Sequence, residues 1–323
     1  MGIFVVRNIV VALMALFLSA AAHSQNYPTK PIRLIMPYSP GAGGDFVVRP
    51  LVEKLGPVLG QPVLVEYKPG AVTVIGTELL AKSAPDGYTI GFVTDSHSLN
   101  PIFRKNLPYD SLNDFAPITQ LVDVPLMLVT HLSVPAKKVA ELVAYARANP
   151  GKLSYASLGY GGPHYIFMEW FKLLTGTDLF HVPYPGSAPA VTAVLGGQVQ
   201  LMFLGGSTAL THAKTGRLTI IATATAKRLA AAPEIPTIAE SGYSEFAFSV
   251  WYGLLAPGKT PPEIVARLNH EIVRILRSDD IQARYTTQGL VPAPSTPEEF
   301  GAKLRRDAEH YAKIVKATGA RGE

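Results

Sequence analysis

The sequence has 323 residues, a formal charge of +5 from 29 basic and 24 acidic side chains, 48% apolar residues, 16% charged residues and no cysteine. This length favours two domains over one, and the low charge content argues against a disordered, coiled-coil or nucleic-acid-wrapping protein. The basic residues are scattered, so no nucleic-acid partner is expected. The absence of cysteine excludes disulfides, thiolate nucleophiles and cysteine-ligated metals.

Residues 1–24 are predicted to be a signal peptide. Arg7 precedes an apolar stretch over 9–18, and small residues follow up to Ala22 and Ser24; this is the order that a signal peptidase reads. The apolar stretch would rise only about 15 Å as a helix, about half of a membrane's hydrocarbon core. We therefore expect export to the periplasm rather than a permanent membrane span; a buried first helix is the less favoured alternative.

Short β-branched runs alternate with helical patterns through the rest of the chain. Strands are predicted at Ile32–Met36, Val63–Tyr67, Tyr88–Thr94, Leu126–Thr130, Leu153–Ala156, Leu179–Val182, Val199–Leu204, Leu218–Thr223 and Phe248–Leu255. Helices are predicted at about 48–59, Val74–Ser83, Lys137–Asn149, Tyr165–Thr175, Ala188–Leu195, Pro262–Arg277 and Pro297–Thr318. Pro50 falls inside the first helical pattern, where it could bend the helix or delay its start.

Two consecutive α/β units predict an α/β fold of two lobes, each a doubly wound, mostly parallel sheet, with a hinged cleft between them. The predicted boundaries assign 25–124 plus 251–323 to lobe I and 125–250 to lobe II, with hinge strands near 124–128 and 248–252. Such sheets bind ligands outside the carboxyl ends of their strands. The loops that follow the strands are therefore the candidate site.

A glycine-rich loop follows the first predicted strand. Its candidate ligand-binding residues are Tyr38, Ser39, Gly41, Ala42, Gly43, Gly44 and Asp45. Glycine backbone can approach a ligand closely, and the N-terminus of the next helix carries about half a positive charge, so a carboxylate is the expected guest. Asp45 is interpreted as a helix cap in preference to a ligand contact. Taken alone, the loop is equally compatible with an ordinary tight turn.

A second loop of the same kind comprises Ser157, Gly159, Gly161, Gly162 and His164. One such loop in each lobe predicts that an anion is held from both sides. The remaining candidates are polar or glycine residues after other strands: Thr94, Ser96, Asn100, Tyr184, Gly205 and Ser207. His164 is either a donor to a carboxylate or a surface or capping histidine, and Tyr184 either offers its phenol to the cleft or packs there.

Residues 253–260 match the G-x-x-x-x-G-K-[ST] pattern of nucleotide-binding loops. Pro257 lacks the N–H that such a loop needs for phosphate, and two prolines follow at 261 and 262, so we expect no nucleotide. The eight histidines have no metal-ligand spacing. No enzyme activity, catalytic residue, metal or cofactor is therefore expected, although a hydrolase assembled from distant residues stays open.

Blocks along nearly the whole chain resemble the Bug family of periplasmic solute-binding receptors, which serve tripartite tricarboxylate transporters. They include YPTKPIR at 27–33, APDGYT at 84–89, LPYD at 107–110, HVPY at 181–184 and LGGQVQLMF at 195–203. The resemblance implies a periplasmic protein that closes like a Venus flytrap on a small carboxylate, held largely by backbone amides and waters at the first loop. It also implies delivery to membrane permease subunits; we expect a monomer.

The sequence departs from the family pattern at places that bear on the ligand. Leu204-Gly205-Gly206 stands where the family often has Asp-Asn, YKPG at 67–70 replaces Asn-Arg-Pro-Gly, and Tyr165, with His164 beside it, replaces a loop histidine. Loss of the acidic residue argues against an amino acid, and the less charged surface favours an aromatic mono- or dicarboxylate over a citrate-like acid. An exported hydrolase or nucleotide-dependent enzyme, or a sensor subunit for a signalling partner, remains an alternative.

Overall fold

The structure is a computed structural model that describes residues 27–41 and 43–322; the predicted signal peptide and Ala42 lie outside the described residues. The strands are β1 (Ile32–Met36), β2 (Val63–Tyr67), β3 (Thr89–Thr94), β4 (Phe115–Val124), β5 (Leu126–Thr130), β6 (Leu153–Ser157), β7 (Leu179–Pro183), β8 (Leu201–Gly205), β9 (Thr219–Thr223), β10 (Val250–Pro257) and β11 (Val291–Pro292). The helices are α1 (Asp45–Leu59), α2 (Val74–Ala81), α3 (Ser96–Phe103), α4 (Val139–Ala148), α5 (Pro163–Thr175), α6 (Ser187–Leu195), α7 (Gly206–Lys214), α8 (Pro262–Leu276), α9 (Asp279–Thr287) and α10 (Pro297–Thr318).

The described strands form two sheets. One has six strands in the order β11-β4-β10-β3-β1-β2, and the other has five in the order β7-β6-β8-β5-β9. We call the units built on them the six-stranded lobe and the five-stranded lobe. Their sheets and helices confirm the predicted two-lobed α/β fold.

Both sheets are mixed, which corrects the expectation of mostly parallel sheets. β1 pairs in parallel with β2 and β3, and β6 pairs in parallel with β7 and β8. β10 is antiparallel to β3 and β4, and β5 is antiparallel to β8 and β9. The chain passes between the sheets at Pro125 and again before Val250. Strands that enter from the other lobe need no helical crossover and can pair antiparallel.

The sequence predicts the bounds of several helices and strands correctly, but it misses five other elements. Strands β1, β2 and β5 and helix α10 have their predicted bounds, and α1 begins at Asp45, so Pro50 does not delay it. Five elements lie outside the sequence predictions: β4, α3, α7, α9 and β11. Helix α3 contains Pro101, and α7 begins at Gly206 with no side-chain cap from the described residues. Both lack the local signals of a helix, so packing specifies them.

Helices α3 and α10 connect the two lobes. Leu99 of α3 and Tyr311 and Ile314 of α10 are buried in the core of the five-stranded lobe, although these helices follow strands of the six-stranded sheet. Tyr252 on β10 packs against the cores of both lobes. The lobes therefore share apolar surface beside the strands that join them. No helix in the described part of the chain has the length and apolar content that a bilayer crossing requires.

Candidate functional site

The first glycine loop joins β1 to α1, and Asp45 holds its backbone in place. The buried Asp45 carboxylate accepts a hydrogen bond from the Gly41 N–H and another, of 2.9 Å, from the Tyr67 hydroxyl. The helix N-cap is Gly44, and the described residues provide no side-chain cap there. The expectation that Asp45 caps α1 is therefore wrong: as the first residue of the helix, it folds back onto the loop instead.

Aromatic and hydroxyl side chains surround this loop. The Tyr38 and Thr94 hydroxyls lie 2.9 Å apart, and burial raises the pKa of Tyr38 to about 12, so its phenol stays protonated. The Tyr252 hydroxyl oxygen lies 3.1 Å from where a β-carbon on Gly43 would stand, and the Phe92 ring lies 2.9 Å from the same point on Gly44. Side chains larger than hydrogen at 43 and 44 would therefore displace these rings. Gly41 and Ser39 are exposed.

Asp95 is a buried acid directly after β3 that sequence reasoning missed. It is 1% exposed, and its Oδ2 atom has no hydrogen-bond partner among the described residues. Burial, with a smaller contribution from repulsion by Asp307, raises the pKa of this carboxyl to about 8. Asp95 is therefore mainly protonated at neutral pH and can donate a hydrogen bond. A lone acidic residue in a polar loop gave no local signal of burial.

Ser96 and Asn100 lie on α3, where the sequence predicts a loop. Asn100 donates from Nδ2 to the Val72 carbonyl oxygen (3.0 Å) and to the Thr73 hydroxyl (3.3 Å). This fixes the segment 71–73, whose three residues all have left-handed backbone, with φ of 47°, 50° and 74°. Such geometry is costly for β-branched residues. The role that the structure assigns to Asn100 is to support this loop.

The second glycine loop, between β6 and α5, is organised by Ser157 and His181. The Ser157 Oγ atom lies 2.6 Å from His181 Nε2 and accepts from the Gly159 N–H at 3.1 Å. Gly159 and Gly161 have φ of 117° and 71°, which favour glycine. Burial lowers the pKa of His181 to about 4, so the ring is neutral. His181 was not among the predicted site residues; its HVPY block gave the only sequence signal.

Aromatic rings pack around His181. Tyr155 stacks on it with ring centroids 4.9 Å apart, and Tyr160 and Tyr165 approach it at 4.7 Å and 4.6 Å. The Tyr155 hydroxyl donates to Glu169, which forms a half-buried ion pair with Lys172 at 2.8 Å. The ion pair neutralises the one carboxylate of this group, so an arriving anion would meet little repulsion from it.

Four helices that follow sheet strands begin at a glycine and receive no side-chain cap from the described residues. They are α1, α5, α6 and α7, with Gly44, Gly162, Gly186 and Gly205 at the N-cap. The first N–H groups of a helix have no partner inside it and carry partial positive charge. Two of these helices follow the two predicted glycine loops, and α7 begins between Gly205 and Ser207. Each is suited to accept an anion through its remaining N–H groups; in α7 the Gly206 N–H already donates to the Pro125 carbonyl oxygen at 2.9 Å.

The lobes contact each other at residues of these loops. A β-carbon on Gly161 would lie 3.1 Å from the Phe103 ring of α3. A β-carbon on Gly289, in the six-stranded lobe, would lie 2.8 Å from the backbone nitrogen of Ser207. The Arg321 N–H, after α10, reaches the Tyr165 hydroxyl at 3.4 Å. The structure thus brings Gly161 and Ser207 to the interface between the lobes.

His164 and Tyr184 lie beside the second loop. Burial lowers the pKa of His164 to about 4, and its Nδ1 atom has no partner within the described chain. The ring is half-buried and neutral, so it can donate one hydrogen bond to a carboxylate but supplies no charge. The half-buried Tyr184 donates its backbone N–H to the Ser157 carbonyl oxygen at 2.9 Å. Both residues are thus placed against the loop that holds Ser157.

The sequence that resembles a nucleotide-binding loop is part of the sheet. Gly253 through Pro257 belong to β10, and a β-carbon on Gly253 would clash with the Phe300 ring. The Gly258 N–H donates to the Asp114 carbonyl oxygen, and the buried Thr260 hydroxyl donates to Pro257. These groups therefore already make hydrogen bonds within the protein and are not available to a phosphate. Within the described ranges, no cluster of three or more histidine and acidic side chains could hold a metal.

Residues 47–319 match the model of the tripartite tricarboxylate transporter family receptor. The chain belongs to this family. It is 35% identical to Protein BugT of Bordetella pertussis over 306 residues, which cover 94% of each chain. The resemblance to Bug receptors is thereby confirmed.

Solved structures support the receptor assignment. A protein of R. palustris solved with adipate superposes with a TM-score of 0.84 and 29% identity, covering 92% of this chain and 100% of that chain. MatC from Rhodopseudomonas palustris, solved with bound malate, gives a TM-score of 0.79 and 27% identity, covering 90% and 100%. Both similar proteins hold small dicarboxylates.

Proposed function

We propose that this receptor captures a small carboxylate between its lobes and delivers it to the permease of a tripartite tricarboxylate transporter. The observation that carries the proposal is the pair of glycine loops, one in each lobe, each leading into a helix whose N-terminus receives no side-chain cap from the residues that the structure describes. The second loop also contacts the opposite lobe at Gly161. A ligand that touches both loops would stabilise the closed arrangement over an open one, and closure is what a membrane partner can recognise.

The ligand charge would be met by backbone amides and hydroxyls. Around the loops, His164 and His181 are neutral, Lys172 is paired with Glu169, and Asp45 is bound to Gly41 and Tyr67. Helix N-termini and neutral donors can stabilise an anion without a buried ion pair, whose desolvation is expensive. The candidate donors are those of residues 38–45, Thr94, Ser96, residues 157–164, Tyr184, Gly205 and Ser207.

We infer an aromatic mono- or dicarboxylate as the preferred ligand. Large apolar side chains are exposed on or beside both glycine loops: Phe46 is 57% exposed, Tyr160 38% and Leu158 37%. Exposed apolar groups on a binding loop favour a ligand with an apolar body. The solved relatives hold the aliphatic acids adipate and malate, so aliphatic dicarboxylates are the necessary comparison.

We infer that the receptor performs no catalysis. Ser157 and His181 form a hydrogen-bonded pair, the arrangement that a serine hydrolase needs, but His181 Nδ1 has no partner in the described part of the chain. A catalytic triad requires a carboxylate at that nitrogen to orient and stabilise the ring. The pair instead supports the backbone of Gly159.

The lobe boundaries and the location belong to the same proposal. We assign 25–124 plus 251–323 to one lobe and 125–250 to the other, because Pro125 and the segment before Val250 are where the chain changes sheets. Residues 1–24 would direct export to the periplasm and be removed. The mature receptor would act as a monomer.

A thermal-shift screen followed by calorimetry tests the function. Benzoate, terephthalate, adipate, malate and citrate would be compared with benzamide, which keeps the ring of benzoate but lacks its charge, and with ATP. We expect a carboxylate to raise the melting temperature, because binding to the native state stabilises it by mass action, and to be recovered unchanged. Turnover of the acid, or tight binding of ATP instead, would contradict the proposal.

Co-expression with candidate permease subunits distinguishes transport from sensing. Uptake of the labelled acid that depends on both the receptor and the permease supports transport. A receptor that binds the acid but changes only the output of a signalling partner would favour a sensor.

A further inference from the structure

A cavity of about 560 Å³ lies under α3 in the six-stranded lobe. We call it the α3 pocket; its polar lining comes from His97, Ser98, Arg104, Lys105, Tyr109, Asp110 and Ser111, and Ala308 of α10 contributes one wall. Its size is within the range of small-molecule sites. His97, Pro101 and Arg104 lie along one side of α3, whereas Leu99 and Phe103 on the other side pack toward the five-stranded lobe. The pocket is thus separate from the glycine loops.

Four side chains of the α3 pocket are buried with polar atoms that lack partners in the described structure. They are Nδ1 of His97, Oγ of Ser98, the hydroxyl of Tyr109 and Oγ of Ser111, in residues that are 2%, 3%, 7% and 6% exposed. A buried polar atom left without a partner destabilises the folded state, because it has lost its hydrogen bonds to water. Such a concentration of unsatisfied atoms along one cavity indicates that something polar belongs there.

The histidine in this group has a defined protonation state. His97 Nε2 lies 2.8 Å from the carbonyl oxygen of Ser111, so Nε2 carries the hydrogen and donates it. Burial lowers the pKa of His97 to about 4, which keeps the ring neutral. Nδ1 is consequently an acceptor that requires a donor, such as a ligand hydroxyl.

The lining of the pocket also carries a net positive charge. Neither Arg104 nor Lys105 forms an ion pair with any described acidic side chain. The acidic residue of the lining, Asp110, keeps its negative charge and accepts from the Leu112 N–H at 2.8 Å and from the Asn113 side chain at 2.8 Å. Two cations and one carboxylate leave a net positive charge, and this charge next to four unsatisfied neutral groups matches an anion that also carries hydroxyl groups.

We propose that the α3 pocket is a second binding site, for a small hydroxycarboxylate. Its carboxylate would pair with Arg104 and Lys105, one hydroxyl would donate to His97 Nδ1, and the hydroxyls of Ser98 and Ser111 would bond the remaining oxygens. This site does not depend on the ligand of the glycine loops, and the two can be tested apart.

Titration with glycerate, followed by calorimetry and by amide NMR shifts, tests this site. We expect shifts confined to α3 and residues 105–112, and about tenfold weaker binding of propionate, which lacks both hydroxyls. Arg104→Gln and Ser98→Ala should each weaken glycerate binding by about tenfold. Lys259→Gln, which removes an exposed charge of the same lobe, and Gly43→Val, which alters the first glycine loop, should leave it within about twofold.

Two kinds of outcome would overturn the site. Absence of any shift or heat up to about 20 mM glycerate would mean that water alone satisfies the buried atoms. Loss of glycerate binding in Gly43→Val, with Arg104→Gln unaffected, would assign glycerate to the glycine loops instead. Melting curves of every variant would establish that it is folded.

Discussion

The Phe103 ring on α3 of the six-stranded lobe lies 3.1 Å from the point where a β-carbon on Gly161 of the five-stranded lobe would stand. Gly161 also has a φ of 71°. The same residue therefore combines left-handed backbone with close approach of the opposite lobe. Since Phe103 belongs to the opposite lobe, a side chain at 161 would act on the contact between the lobes.

Gly161→Ala should weaken binding of the screened carboxylate by about tenfold and destabilise the fold by about 1–2 kcal/mol. Gly159→Ala is the matched control: its φ is 117°, and no described atom lies within 4 Å of its added β-carbon. It should have a similar effect on stability with little effect on closure. Small-angle scattering with and without ligand would measure closure; equal behaviour of the two variants would contradict a role for the contact.

Gly43→Val should block the first loop. The added side chain would meet the Tyr252 hydroxyl, which lies 3.1 Å from the β-carbon position, and affinity for the carboxylate should fall by about a hundredfold. Gly43→Ala combined with Tyr252→Phe, which removes the hydroxyl oxygen, should bind better than Gly43→Ala alone. If calorimetry finds no such recovery, the clash with Tyr252 does not explain the loss.

Ser157→Ala removes the acceptor of the Gly159 N–H and the partner of His181. We expect about three- to tenfold weaker carboxylate binding, because a buried hydrogen bond contributes about 1 kcal/mol. Hydrolysis of a p-nitrophenyl ester by the wild type should equal that of the variant and of buffer. Ester hydrolysis lost only in Ser157→Ala would instead reveal a serine nucleophile.

Asp95 should make the protein less stable as pH rises from about 4 to 8. Its folded pKa of about 8 lies above the unfolded value of about 3.9, so in this window the folded state keeps a proton that the unfolded state has released. Asp95→Asn should raise the free energy of unfolding at pH 7 by about 2–4 kcal/mol, with the gain vanishing near pH 4. The control Asp178→Asn, at an exposed site, should change the free energy of unfolding very little. Denaturant melts across pH would measure the difference in free energy of unfolding between the wild type and Asp95→Asn. A difference that is the same at every pH would contradict this account.

His97 and His164 act in the opposite direction: they make the protein less stable as pH falls. Burial holds the pKa of His97 and His164 at about 4, below the unfolded value of about 6.5, so their stabilisation is complete above pH 6.5 and lost as pH falls toward 4. His97→Gln should reduce the free energy of unfolding that is lost between pH 6.5 and pH 4 by up to about 3 kcal/mol. His270→Gln, at an exposed residue, is the control. An unchanged acid limb of the stability curve in His97→Gln would refute the assignment.

The sequence by itself determined the two α/β units, the bounds of strands such as β1 and β5, the two glycine loops and the family. Periodicity and glycine placement are local properties, so they can be read along the chain. It did not determine β4, α3 or α7, the mixed sheets, or the role of Asp45, which depend on the chain crossing between lobes and on burial.

Only the tertiary structure decided which of the site residues meet. Gly161 contacts Phe103, His181 joins Ser157 from the neighbouring strand, and Tyr252 reaches Gly43 from β10. These pairs are separated by long stretches of sequence, and no single local pattern encodes such a distance. The burial of Asp95 and His97, and therefore their protonation, has the same origin: it is set by what packs around each side chain rather than by its neighbours along the chain.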